Sequence, residues 1–256
     1  MFKIKRAERA GSIASRRLVY GLALLISGCV YFAQHTAEGA CASSLDSPIR
    51  NFCVVTPQVL WRGERPNKAD ATWLVEHRVG TIVNLQEIQN DHDAFDAAAA
   101  TPDLTRSIDY FHLPDFEPLH MIDWSFLDSH VARFLAIVSE APRPVYVHCM
   151  DGIDRTGVLI AAYRVLIEGS SREEAIAEMA RFRSPWLRVD AKYIRGLQGD
   201  RRAEIMRKMT EWKSKLRASA RIVCRRGKCT YSTIDGAGHG EDTRSTYGPS
   251  WKFGAS

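Results

Sequence analysis

Zinc-module spacing is absent from this chain. Its six cysteines and eight histidines never supply two ligand pairs at finger-like intervals, so a structural metal does not organise the fold. Long apolar runs are scarce too: the stretch Leu18 to Ala33 carries no charge, but it is shorter than the ~20 residues of a spanning helix. Charge imbalance is small. A net charge of +5, with basic residues gathered at the two ends and no recognised binding motif between them, excludes nucleic acid as a target. There are no internal repeats. What is present, 45% hydrophobic and 25% charged residues in 256, fits one ordinary globular domain of ~150 residues with extensions.

The N-terminal extension has the character of a targeting segment. Lys3, Lys5, Arg6, Arg9, Arg16 and Arg17 precede the apolar run, an order that directs export or anchoring with the positive charge inside. Three fates are compatible with it. Ala40-Cys41-Ala42 before Ser43 fits small-x-small cleavage, Ile26-Ser27-Gly28-Cys29 resembles a lipoprotein box, and an uncleaved anchor needs neither. Ser15-Arg16-Arg17 faintly resembles a twin-arginine signal, and a buried N-terminal helix is the bland alternative. The expected partition is a signal peptide or membrane anchor over 1–42, a domain over 43–217, and a basic, Gly/Ser-rich disordered tail over 218–256. If exported, Cys224 and Cys229, which bracket Arg225-Arg226-Gly227-Lys228, are better read as a disulfide than as two free thiols; Cys53 reads as a small core residue.

The domain region alternates strand and helix patterns. Helices are predicted near 66–78, 92–100, 122–140, 156–168, 171–182 and 190–216, with strands at 81–85, 109–113 and 144–148. This alternation predicts an α/β fold with a central, mostly parallel sheet flanked by helices. Trp61, Trp73 and Trp124 lie in patterns that bury them.

Chemistry concentrates in His148-Cys149-Met150-Asp151-Gly152-Ile153-Asp154-Arg155-Thr156-Gly157. A β-branched strand pattern, Pro144 to Val147, precedes it, and a long apolar helix pattern follows. A loop in that position meets the unpaired N–H groups and positive dipole end of a helix, which attract a dianion and favour a thiolate at Cys149. Arg155 adds a planar fork matched to two phosphate oxygens.

The string resembles the Cys-x5-Arg-Thr signature of the protein tyrosine phosphatase superfamily. Upstream, Asn51-Phe52, Pro57, Leu60-Trp61-Arg62-Gly63 and Pro66 resemble the opening of the small atypical dual-specificity phosphatases of bacteria, fungi and plants. Ser170 or Ser171 with Glu173 or Glu174 resembles the capped start of that family's next helix, so the likeness runs from about residue 50 to 190. It implies a cysteine-phosphatase fold and a phosphocysteine intermediate, with no cofactor and no metal. By that resemblance Cys149 is the nucleophile and Met150, Asp151, Gly152, Ile153, Asp154 and Arg155 hold the phosphate. Thr156 would donate its hydroxyl to the sulfur, and Asp115, in Pro114-Asp115 after a strand, would be the general acid.

The loop also resembles the Cys-x-Asp-Gly-x-Asp-Arg-Thr pattern of myotubularin lipid phosphatases, which makes Asp151 or Asp154 a rival acid; an ordinary turn is the alternative at Asp115. His148 reads as an orienting residue, Gly152 as the bend around phosphate, and Gly157 as a site of close packing at the helix start. Arg62 and Arg65 either recruit an anion or are solvated. Ile153 stands where inositol-directed members of the superfamily carry lysine. Phosphoprotein, phosphoinositide, inositol phosphate and lipid phosphate all remain candidate substrates. The readings from other classes are a phosphate-binding pseudoenzyme and a rhodanese-like sulfur carrier.

Overall fold

The strands at the centre of the sheet are short and buried on both faces. In the computed structural model, which describes residues 45–234 except 117, 119 and 121, they are β2 (Leu60–Gly63), β3 (Thr81–Asn84) and β5 (Val145–His148). A strand covered by helices on both sides needs no polar face, which is why Val145-Tyr146-Val147 runs without alternation. With β1 (Cys53–Thr56), β4 (Arg106–His112), β6 (Ala220–Arg225) and β7 (Lys228–Thr233), the sheet has the order β1-β2-β5-β3-β4-β6-β7. The pairs β2/β5, β5/β3 and β3/β4 are parallel; those at the edges are antiparallel. The predicted mostly parallel centre is therefore present inside a mixed sheet.

Register fixes where a ligand can sit. Gly63 and Asn84 both stand opposite His148, and Asn84 stands opposite His112, so the carboxyl ends of four parallel strands finish in one row. Loops leaving that row open on a common crevice, the usual ligand position in such sheets.

The helices are α1 (Lys68–Glu76), α2 (His92–Asp96), α3 (Trp124–Glu140), α4 (Asp154–Leu166), α5 (Arg172–Arg181), α6 (Leu187–Arg195) and α7 (Gly199–Lys213). Helix α4 is buried over most of its circumference, as its continuous apolar pattern requires. Ser171 and Glu174 form the capping box that starts α5, which resolves the paired alternatives in the sequence. The single helix expected near 190–216 is instead two. Gly196 closes α6, and Gly199, the first residue of α7, takes φ +54°, a left-handed value that glycine adopts freely, so the chain turns where the second helix starts.

The expected disordered tail needs correction over 220–233. Ala220, Ile222 and Cys224 alternate inward and pair with β4, while Arg226 and Gly227, both at positive φ, make a two-residue turn into β7. The Cys224–Cys229 disulfide closes this hairpin as expected. Residues 235–256 lie outside the described residues, as does the whole targeting segment; among the described residues no helix is long and apolar enough to cross a membrane. Cys53 is also disulfide-bonded, which corrects its reading as a plain core residue. Trp61 is buried in the cluster with Leu74, Ile82 and Tyr146, whereas Trp73 and Trp124 are only half-buried.

Candidate active site

Cys149 leaves the end of β5 and is 3% exposed, followed by the loop that enters α4 at Asp154. Three successive loop carbonyls are tied to one upstream segment. Arg65 N donates to Met150 O at 3.0 Å, Asn51 Nδ2 to Asp151 O at 2.9 Å, and Arg62 Nη2 to Gly152 O at 2.5 Å. In a planar trans peptide the next N–H points opposite to the carbonyl. The N–H groups of Asp151, Gly152 and Ile153 consequently point away from these ties, the orientation that a phosphate cradle requires. Gly152 has φ +68°, and a Cβ there would collide with the carbonyl of Gly63.

Arg62 neither recruits substrate nor meets solvent. It is fully buried, stacked on the Phe182 ring at 3.7 Å, and its charge is spent on the loop carbonyls. Burial lowers its pKa to about 10, still high enough for a cation at neutral pH. Arg65 is half-exposed and bonds Asp91 Oδ1 at 3.3 Å and Asn90 O at 2.7 Å.

Beneath the loop, His148 Nε2 faces Asp91 Oδ2 at 2.9 Å while Nδ1 lies 3.1 Å from Cys149 O. Tyr110 donates to the same Asp91 oxygen at 3.0 Å and receives a bond from Asn84 Nδ2 at 2.8 Å. Burial acts to raise the Asp91 pKa, but His148, Tyr110 and Arg65 outweigh it and hold the carboxyl below the ordinary carboxylate range. This pillar fixes His148 as an orienting residue. Asp91 itself carried no sequence signal.

Thr156 is buried with its hydroxyl unpartnered, so no bond to the Cys149 sulfur is formed in this arrangement. A Cβ on Gly157 would meet only ordinary contacts with Arg62 and Met179, so close packing does not require that glycine. Both loop carboxylates are engaged elsewhere. Asp151 pairs with Arg50 at 3.2 Å on the surface, and Asp154 accepts a short bond from the Ser184 hydroxyl.

Arg155 is largely buried, with Nη1 3.0 Å from Glu87 Oε2 and 3.3 Å from the carbonyls of Leu85 and Asp115. The segment carrying Asp115 is docked by its own backbone. Asp115 N donates to Leu85 O at 3.1 Å, and His130 Nε2 on α3 donates to Pro114 O at 2.5 Å. Asp115 is 1% exposed; Oδ1 faces His120 Nε2 at 3.0 Å, and Oδ2 is buried without a partner. The other nitrogen of His120 faces Asp190 of α6 at 3.4 Å. Burial favours a neutral imidazole, yet the two carboxylates win and raise His120 to about 9. Burial would likewise raise Asp115, but the His120 bond and the charges of His130, His120 and Arg155 hold it below the ordinary range. Asp190 is raised by burial against the pull of His120. Among the predicted catalytic residues, Arg155 and Asp115 are thus brought into contact, whereas His120, Asp190 and Glu87 stand in no motif that marks them.

A family model described as a DSP-PTPase phosphatase fused to NAD+ kinase matches residues 53–186, just over half of the chain. The dual specificity protein phosphatase TpbA of Pseudomonas aeruginosa strain UCBPP-PA14 is 28% identical over 161 residues, which cover 62% of this chain and 67% of that protein. The crystal structure of P. aeruginosa TpbA superposes with a TM-score of 0.51 at 24% identity, covering 69% of this chain and 98% of the other. A cysteine-to-serine variant of TpbA in complex with pTyr gives 0.50 at 23%, covering 68% and 97%. The two structures share the cysteine-phosphatase fold with this chain. The chain belongs to the DSP-PTPase phosphatase family and is a cysteine-dependent phosphatase of dual-specificity type.

Proposed function

We propose that the enzyme removes phosphate from phosphotyrosine-like esters on proteins, with Cys149 as nucleophile and Arg155 as clamp. Attack of the Cys149 sulfur forms the S–P bond as the ester oxygen departs, and the inward N–H groups with Arg155 hold the equatorial oxygens. Asp115 gives the departing oxygen its proton and later takes one from the hydrolytic water. Thr156, whose hydroxyl is otherwise unpartnered, steadies the sulfur as it leaves phosphorus.

The character of the rim carries the choice of substrate. Glu87 bonds Arg155, and Ile88 beside it is 84% exposed; Phe116, next to Asp115, is 47% exposed and Met150 48%. A rim of apolar side chains with Glu87 and Asp151 suits an aromatic ring carrying one phosphate. A polyphosphorylated inositol would need several further cations there, and Ile153 occupies the place where inositol-directed relatives carry lysine. The deciding experiment is phosphate release from a phosphotyrosine peptide, a phosphoinositide, inositol hexakisphosphate and a lipid phosphate, using wild type and Cys149→Ser. The peptide should turn over fastest and the serine variant not at all. Faster release from inositol hexakisphosphate would reject the substrate assignment, and a serine variant keeping even roughly a tenth of the activity would reject covalent catalysis.

The same proposal places residues after about 43 outside the cytoplasm, held in or exported across a cell envelope, possession of a basic segment before an apolar run being its support. The proposal includes membrane association through that segment, and the Cys224–Cys229 disulfide, a bond that an oxidising compartment would preserve, supports it. Reporter fusions after residue 60 test it: activity confined to a cytoplasmic reporter would overturn export.

A further inference from the structure

Next to the acid loop lies a buried line of three titratable groups of which the reaction as written uses only one: Asp115, His120 and Asp190 are 1%, 1% and 2% exposed. His120 sits between the carboxylates, 3.0 Å from Asp115 Oδ1 through Nε2 and 3.4 Å from Asp190 Oδ1 through Nδ1. We propose that His120 is a positioning residue that stores the proton for Asp115, handing it over from Nε2 when the leaving oxygen takes the carboxyl proton, with Asp190 holding the imidazole in line. The inference rests on Asp115 being the acid.

The need for a store follows from the surroundings of Asp115. Arg155 of α4, His130 of α3 and His120 all favour its ionised form, in which it has no proton to give. The imidazole, flanked by two carboxylates, keeps its proton at neutral pH. Asp154 of α4 acts on Asp190, and Asp123, Arg188 and Lys192 line with His120 a cavity on the outer side. These are the charged groups around the line among the described residues.

In the first half-reaction the S–P bond forms and the ester P–O bond breaks, its electron pair staying on the leaving oxygen. That oxygen receives its proton through Asp115: His120 Nε2 hands its proton to the ionised carboxylate, which passes it on and is ionised again; rotation of the carboxyl exchanges the oxygen facing His120 with the one facing the substrate. A neutral imidazole remains. In the second half, water adds to phosphorus, the S–P pair returns to sulfur, and the proton of water passes through Asp115 back to His120.

The test is the pH dependence of kcat/KM for phenyl phosphate and for an ester of a very acidic phenol, in wild type, His120→Gln and Asp190→Asn. Glutamine keeps a donor for Asp115 but cannot ionise. His120→Gln should move the basic limb for phenyl phosphate down by about one pH unit or more. It should cost roughly tenfold or more above neutrality, with activity recovered on acidification and little change for the acidic phenol. Asp190→Asn removes one of two anions that keep the imidazole charged, so its limb should move the same way by less; it decides the matter alone if the glutamine variant does not fold. Equal losses at every pH with both esters, or an unmoved limb, would overturn the proposal. Asp115→Asn separates the two levels. If it lacks leaving-group dependence the acid assignment fails, whereas if it shows that dependence and the His120→Gln limb stays put, only the store is wrong.

Discussion

Arg62 reaches Gly152 from within the core, its Nη2 donating to the carbonyl at 2.5 Å while the guanidinium stacks on Phe182. Together with Asn51 and Arg65 N it holds three successive carbonyls of the signature loop on the side away from their N–H neighbours, which leaves those N–H groups for phosphate. Arg62→Met keeps the reach and removes the donor. A bond from a charged group is worth ~1.5–3 kcal/mol, so vanadate should bind roughly 10- to 100-fold more weakly. Unchanged affinity by titration would mean that the other two ties suffice.

Glu87 pairs with Arg155 at 3.0 Å and places a negative charge where a dianion must enter. Glu87→Gln should therefore tighten phosphate or vanadate binding by about 1.5-fold to fivefold, the effect of one partly exposed charge pair. The gain should shrink as salt is raised. Weaker binding in the variant would show that Glu87 orients Arg155 instead of competing for it.

Asp115 and Asp154 are distinguished by leaving-group basicity, because acid catalysis matters most for a poor leaving group. Asp115→Asn should slow phenyl phosphate by ~10²-fold or more and an ester of a very acidic phenol far less. Asp154 is bonded to Ser184, so Asp154→Asn should slow both esters by similar factors through loop geometry. Leaving-group sensitivity appearing only in the Asp154 variant would move the acid into the signature loop.

The Cys224–Cys229 bridge closes a short hairpin on the sheet edge beyond β4, away from Cys149. Replacing both cysteines by serine should cost at most about 2 kcal/mol, the loop-entropy value for so short a closure. Denaturant unfolding measures this. Activity with an aryl phosphate should be retained, and its loss would tie the hairpin to the site.

Stability should fall on the alkaline side through His120. Its pKa is raised from 6.5 to about 9 by Asp115 and Asp190 against burial, so its stabilising contribution is complete below 6.5 and disappears as pH rises through about 9. Asp115, held below the ordinary carboxylate value, contributes in the opposite sense: its share is present above 3.8 and is lost in acid. Across the alkaline window the wild-type Tm should drop by several degrees, and His120→Gln should flatten that slope. Parallel curves would assign the slope to other groups.

Local patterns made much of this protein legible in one dimension. A β-branched run, a Cys-x5-Arg loop and an apolar helix are contiguous, so their order alone puts Cys149 and Arg155 at a helix N-terminus; Ser171 and Glu174 are likewise three residues apart and cap α5 by local geometry. Alternation in 220–225 was present as well, but its strand identity depends on β4 as a partner and on the turn at Arg226 and Gly227. The tertiary structure alone decided the support of the site. His148 meets Asp91 across 57 residues, His120 meets Asp190 across 70, and Arg62 meets Gly152 across 90. A pair so separated has no spacing rule to betray it. Burial then decides the role, because a charge taken out of water must find its partner inside: Arg62 became a strut for the loop and His120 a bridge between two carboxylates.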